Sequence, residues 1–170
     1  VILQNHFPSI YAALDLTTDA TVRVESGASL TTTGFISGTG PLRKTGPGAM
    51  HLAGSGNNTF TGDTVVTEGI LYLDKSSAYA VPQNLLIGPA SSLSPATARF
   101  NNNSEMGGTT ITVNANSLLD LNGYVQTLTQ LNLNDGGNAQ SGGGFFAFNP
   151  GSSVQVGSLS LLGSHAGSTI

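Results

Sequence analysis

The chain has 170 residues, and 23 Gly, 19 Ser, 19 Thr and 14 Asn together fill 75 of them. Only 8% of residues are charged, the net charge is −4 and 38% are apolar, which excludes a charge-driven disordered chain and leaves no basic stripe for a nucleic-acid backbone. The absence of Cys excludes disulfides and thiolate metal sites, and no run approaches the roughly 20 apolar residues that cross a bilayer, so neither nucleic acid nor membrane insertion is expected.

Glu, Lys, Arg and Gln are scarce, whereas Thr, Val, Gly and Asn favour strands and turns, so the expected class is all-β, with 1–170 as one domain. Apolar residues recur at period 2, which puts alternate side chains on one face of a strand. In chain order the runs are Thr21-Val22-Arg23-Val24-Glu25, Ala49-Met50-His51-Leu52, Gly69-Ile70-Leu71-Tyr72-Leu73, Ile111-Thr112-Val113, Leu119-Asp120-Leu121, Leu131-Asn132-Leu133, Val154-Gln155-Val156 and Leu159-Ser160-Leu161. Gly- or Asn-rich breaks separate them, such as Thr45-Gly46-Pro47-Gly48, Asn101-Asn102-Asn103 and Ser141-Gly142-Gly143-Gly144. The predicted core consists of Val22, Val24, Leu30, Leu42, Met50, Leu52, Val66, Leu71, Leu73, Ile111, Val113, Leu119, Leu121, Leu131, Leu133, Val154, Val156, Leu159 and Leu161.

Internal repetition decides between a sandwich and a coil. Met50/Leu52 and Leu71/Leu73 lie 21 residues apart, and Leu119/Leu121 with Leu131/Leu133 fit two sides of one further turn. A coil of short strands needs about 20–25 residues per circuit, so the spacing predicts a β-solenoid of about seven or eight rungs, nearly free of helix. Residues 82–104, with Pro82, Pro89 and Pro95, are expected to form an irregular, loop-rich excursion.

Within 40–73 the motifs become specific. Gly40-Pro41-Leu42-Arg43-Lys44-Thr45-Gly46-Pro47-Gly48-Ala49-Met50-His51-Leu52-Ala53-Gly54 is followed by Asn58-Thr59-Phe60-Thr61-Gly62-Asp63-Thr64 and Gly69-Ile70-Leu71. This stretch closely resembles the autotransporter-associated β-strand repeat, with Met50 where the family usually has Leu and Phe60 where it usually has Tyr. The stretch Leu119-Asp120-Leu121-Asn122-Gly123 with Gln126-Thr127 is similar to a segment found downstream in the same passengers. The resemblance implies a right-handed parallel β-helix and an extracellular or bacterial cell-surface setting. The chain starts at Val1 and shows no export signal, so it is expected to be a segment of a longer or processed surface protein.

Parallel β-helices include polysaccharide lyases and hydrolases, whose sites cluster carboxylates across neighbouring rungs. Here nine acids are scattered, and Asp63, Glu68 or Asp74 approach Asp120 only if their rungs stack in register. His6, His51 and His165 share no metal-ligand spacing, and alternation turns His51 outward from Met50 and Leu52. No Gly-x-Ser-x-Gly elbow, phosphate loop or Ca²⁺-binding nonapeptide occurs, so no catalytic, cofactor-binding or metal residues are expected. Asn57-Asn58-Thr59 and Asn102-Asn103-Ser104 fit the glycosylation sequon and are expected to be unmodified. Phe145, Phe146 and Phe148 form a candidate partner contact, because neighbours on a strand face opposite ways. Val1, Ile2 and Leu3 form a candidate edge-stacking contact for end-to-end self-association.

The function these features favour is a non-enzymatic structural or stalk segment of a secreted surface protein. The alternatives are an adhesive module for a cell-surface or glycan ligand, a self-assembling extracellular filament subunit and, less favoured, a polysaccharide lyase or hydrolase.

Overall fold

A computed structural model describes residues 2–3, 8–88, 94–107, 110–134, 136–143 and 145–156, with 2–3 and 145–156 described as backbone alone. Among the described residues there is no helix. The strands in chain order are β1 (Ile2–Leu3), β2 (Ser9–Ile10), β3 (Leu14–Leu16), β4 (Ala20–Val24), β5 (Ser29–Thr32), β6 (Ile36–Gly38), β7 (Leu42–Thr45), β8 (Ala49–Gly54) and β9 (Thr64–Val66). They continue with β10 (Gly69–Lys75), β11 (Leu85–Ile87), β12 (Ala96–Phe100), β13 (Thr110–Val113), β14 (Ser117–Asp120), β15 (Val125–Leu133), β16 (Asn138–Gln140) and β17 (Phe145–Val156).

Every pairing is parallel and joins a strand to its counterpart one turn away. The first sheet runs β1-β4-β7-β9-β11-β13-β15-β17, the second β2-β5-β8-β10-β12-β14-β16, and β3 pairs with β6 alone. Stacked parallel strands satisfy the backbone N–H and C=O groups from turn to turn, which lets a thin coil stand on a narrow core. The result is a β-solenoid of about six turns.

Register follows from pattern. Val22 pairs with Lys44 and Lys44 with Val66, while Leu30, Met50, Leu71, Ala98 and Leu119 stack in one inward column of the second sheet. Paired residues lie 20–22 positions apart through most of the coil, but 26 apart from Leu85 to Ile111 and 27 apart from Gly69 to Ala96. The stretch 82–104 supplies β11 and β12, and the longer step falls between Ile87 and Ala96. The alternation of Leu85, Ile87, Ala98 and Phe100 keeps both strands in the core. The longer step in sequence is one reason the rung count falls below seven or eight; residues 157–170 lie outside the described residues.

The core is the line of side chains between the sheets. Val24, Leu30, Leu42, Met50, Leu52, Val66, Leu71, Leu73, Ile111, Val113, Leu119, Leu121, Leu131 and Leu133 are buried as expected, joined by Ile36, Phe60, Leu85, Ile87 and Phe100. Val22 is only half-buried, because β1 covers Arg23 and Val24 but no described strand covers the first half of β4. It lines an open cavity of about 400 Å³ with Ile10, Leu14 and Leu16. Val154 and Val156 belong to β17, of whose side chains nothing is described, and Leu159 and Leu161 lie outside the described residues.

Candidate functional site

The most densely patterned stretch of sequence is also the most tightly built. Lys44 occupies an inward slot of β7, is 0% exposed, and donates from Nζ to the carbonyl oxygens of Thr45 at 3.2 Å, Gly46 and Glu68 at 2.9 Å. Burial lowers its pKa to about 8, opposed by the charge of Glu68. Gly46 and Gly69 sit beneath that ammonium with φ of 76° and 72°. A Cβ on Gly69 would lie 2.5 Å from the Gly46 oxygen and 2.7 Å from Lys44 Nζ, so the corner has room only for Gly. On the opposite side of the turn, buried Asn58 accepts the Ile36 N–H and donates to the Ala80 oxygen, each at 2.8 Å, tying three successive turns together.

Lys75 repeats the device one turn further on. It too is 0% exposed, and donates to the carbonyls of Ala53 at 2.9 Å and Gly34 at 3.3 Å. Burial lowers its pKa, and Glu105 opposes the shift. The buried Glu105 carboxylate collects the backbone N–H groups of Lys75 at 2.5 Å, Asn102 at 3.3 Å and Asn101 at 3.4 Å. Burial pushes its pKa up to about 8 despite these donors. Gln126, from the next turn, accepts the Glu105 N–H at 2.9 Å and donates to the Asn102 oxygen at 2.7 Å.

The outer face of the second sheet carries a connected polar stripe. His51 Nδ1 meets Asp74 at 2.5 Å, its ring stacks on Tyr72 with centroids 4.4 Å apart, and Asn101 donates to the other Asp74 oxygen. Asn122 then links Asn101 at 3.2 Å to Arg99 at 2.6 Å, and Arg99 approaches Asp120 at 3.6 Å. Burial would raise the Asp74 pKa, but hydrogen bonds from His51 and Asn101 and the charge of His51 outweigh it and hold the carboxyl below its ordinary range.

The acids considered in sequence are thus placed. Asp74 and Asp120 share a face but sit two turns apart, Asp74 against His51 and Asp120 against Arg99, and Asp63 accepts from Asn84 at 3.0 Å elsewhere. Among the described residues no three His, Cys, Asp or Glu side chains gather where a metal would be held. Ile2 and Leu3 pair with Arg23 and Val24, and Val1 lies outside the described residues. Phe145, Phe146 and Phe148 stand in register with Val125, Gln126 and Leu128.

Sequence reasoning missed both buried lysines, Glu105 and the His51–Asp74 pair. A signal for the last was present: the 21-residue step that stacks Met50 on Leu71 also sets His51 on Tyr72.

This geometry is that of a parallel β-solenoid whose corners are closed by buried lysine, asparagine and glutamate side chains. Residues 42–73 match the family model of the passenger-associated-transport-repeat, so the coil fits a segment of the autotransporter-passenger type. No curated protein and no solved structure gives a significant match.

Proposed function

We propose that the chain is a non-enzymatic spacer of a bacterial surface protein, a rigid coil that holds other parts of the molecule away from the cell. One observation carries this reading: in the matched repeat the patterned residues Leu42, Lys44, Gly46, Met50, Leu52, Asn58, Phe60, Gly69, Leu71 and Leu73 all serve the coil itself. The apolar side chains fill the core, Lys44 and Asn58 close corners and the two glycines admit close backbone approach. The outer stripe supports the same reading, because His51, Asp74, Arg99 and Asp120 are matched to one another rather than presented to a substrate. The secreted or surface setting rests on the repeat's family.

The test is incubation of the chain with a panel of neutral and uronic polysaccharides, followed by assays for new reducing ends and unsaturated uronates. No turnover is expected. Turnover abolished by His51→Ala or Arg99→Ala would replace this reading with a carbohydrate-active enzyme.

A further inference from the structure

The large apolar side chains exposed on the described surface are Tyr11 at 79%, Phe35 at 49% and Tyr79 at 44%. All three lie on one corner, where the chain leaves the second sheet. Phe35 accepts at its carbonyl from Leu14 N–H, and a Cβ on Gly34 would lie 2.2 Å from the Ala12 oxygen, so segment 33–35 stacks directly on 11–13. One turn on, Asn57 Oδ1 accepts the Tyr79 N–H at 2.8 Å, and a Cβ on Gly56 would lie 3.7 Å from the Phe35 Cβ, in ordinary contact. Phe35 and Tyr79 therefore share a column along the coil axis, two rungs or about 9.6 Å apart, and Tyr11 lies one rung before Phe35, offset by two residues along the chain.

The corner carries one exposed carboxylate, Asp15, which pairs with Ser37 at its edge, and no exposed cation. Residues 8–13, 33–37, 54–59, 76–81 and 101–104 contain only Gly, Ala, Pro, Ser, Thr, Asn and apolar types. Flat rings interspersed with hydroxyl and amide groups suit a ligand that has apolar faces and hydroxyl edges, and nothing here would attract a polyanion.

We propose that this corner binds a neutral polysaccharide chain lying along the coil axis, its sugar faces packed on Phe35, Tyr79 and Tyr11. The shape favours a glycan over a protein partner. Three partly exposed rings offer at most about 400 Å², whereas a stable protein interface needs about 800 Å² from each side. A line one side chain wide matches a rod. The proposal extends the reading of the chain as a spacer, giving that spacer a lateral ligand.

The full chain is run through native gels containing hydroxyethylcellulose, xyloglucan or galactomannan, with alginate as the acidic control. The expected result is retardation by at least one neutral glycan, unchanged at high salt. Phe35→Ala and Tyr79→Ala should each weaken it about fivefold, the scale of a single ring contact, with the melting temperature held because both side chains are exposed. No retardation by any neutral glycan overturns the proposal, as does retardation by alginate alone or binding unaffected by the triple change at Tyr11, Phe35 and Tyr79. A dimer in sedimentation that Phe35→Ala dissolves also overturns it, because the corner would then join copies of the chain. Retardation accompanied by new reducing ends supports the glycan face while refuting the non-enzymatic reading, so the two fail separately.

Discussion

Lys44 donates its ammonium to the carbonyl oxygen of Glu68 at 2.9 Å, crossing from one turn of the coil to the next at a corner that water does not reach. The stem lies in the same inward column as Val22 and Val66, so the side chain is at once core and cap. Lys44→Met preserves the stem's bulk but leaves the Thr45, Gly46 and Glu68 carbonyls without this donor. It should destabilise the coil by about 2–3 kcal/mol, measured by urea unfolding at pH 7. An unchanged midpoint would show that the ammonium does not hold the corner.

Stability should pass through a minimum near pH 8. The fold raises the Glu105 pKa from 4.5 to about 8, so it favours the protonated acid; that stabilisation is complete below pH 4.5 and is lost as pH rises to about 8. It lowers the Lys44 pKa from 10.5 to about 8, so it favours the neutral amine; that stabilisation is present above pH 10.5 and is lost as pH falls to about 8. Lys75 acts in the same direction as Lys44. Each flank is on the order of 3–5 kcal/mol at full extent. Glu105→Gln should flatten the acid flank and Lys44→Met the alkaline one, read as melting temperature against pH. Asp74 works the other way below about pH 4, where its protonation weakens the contact with His51.

Asn58 distinguishes donor from acceptor. Asn58→Ala orphans the Ile36 N–H and the Ala80 oxygen in a buried corner and should cost about 2–4 kcal/mol. Asn58→Asp keeps an acceptor for Ile36 but faces the Ala80 oxygen with a buried negative charge, so it should be no milder at pH 7 and should recover towards pH 4 as the acid gains a proton. Equal stability of the two variants at both pH values would remove the donor from the account.

The coil should tolerate loss of a whole turn. Leu42 pairs with Thr64, so deleting residues 42–63 joins Pro41 to Thr64 in register. The shortened chain should fold, with its long axis reduced by about 4.8 Å in small-angle scattering. Deleting Ala49 from β8 instead shifts Met50 and Leu52 onto outward positions and should abolish cooperative unfolding. A whole-turn deletion as damaging as the single one would refute the spacer as a stack of equivalent rungs.

The alternation of Met50, Leu52, Leu71 and Leu73, with their 21-residue step, was enough to read strands, faces and coil, because both periods are local properties of the chain. The longer step was harder. Pro82, Pro89 and Pro95 look alike as letters, yet Leu85–Ile87 and Ala96–Phe100 remain strands because each finds a partner above and below. The exposed aromatic corner escaped notice for a related reason: Tyr11, Phe35 and Tyr79 are 24 and 44 residues apart, and only corner stacking gathers them.

By itself, then, the sequence determined that this protein is all-β, coiled at about 21 residues per turn and closed at Gly-rich corners. Those features follow from side-chain alternation and backbone permissiveness, which act over a few residues. Only the tertiary structure decided that Lys44 and Lys75 turn inward, that Glu105 gathers three backbone N–H groups and that His51 meets Asp74. A buried charge is unfavourable until polar groups surround it, and although Thr45 and Gly46 serve Lys44 locally, as Asn101 and Asn102 serve Glu105, the Lys44–Glu68, Lys75–Ala53, Lys75–Gly34, Glu105–Lys75 and His51–Asp74 contacts join residues 22–41 apart.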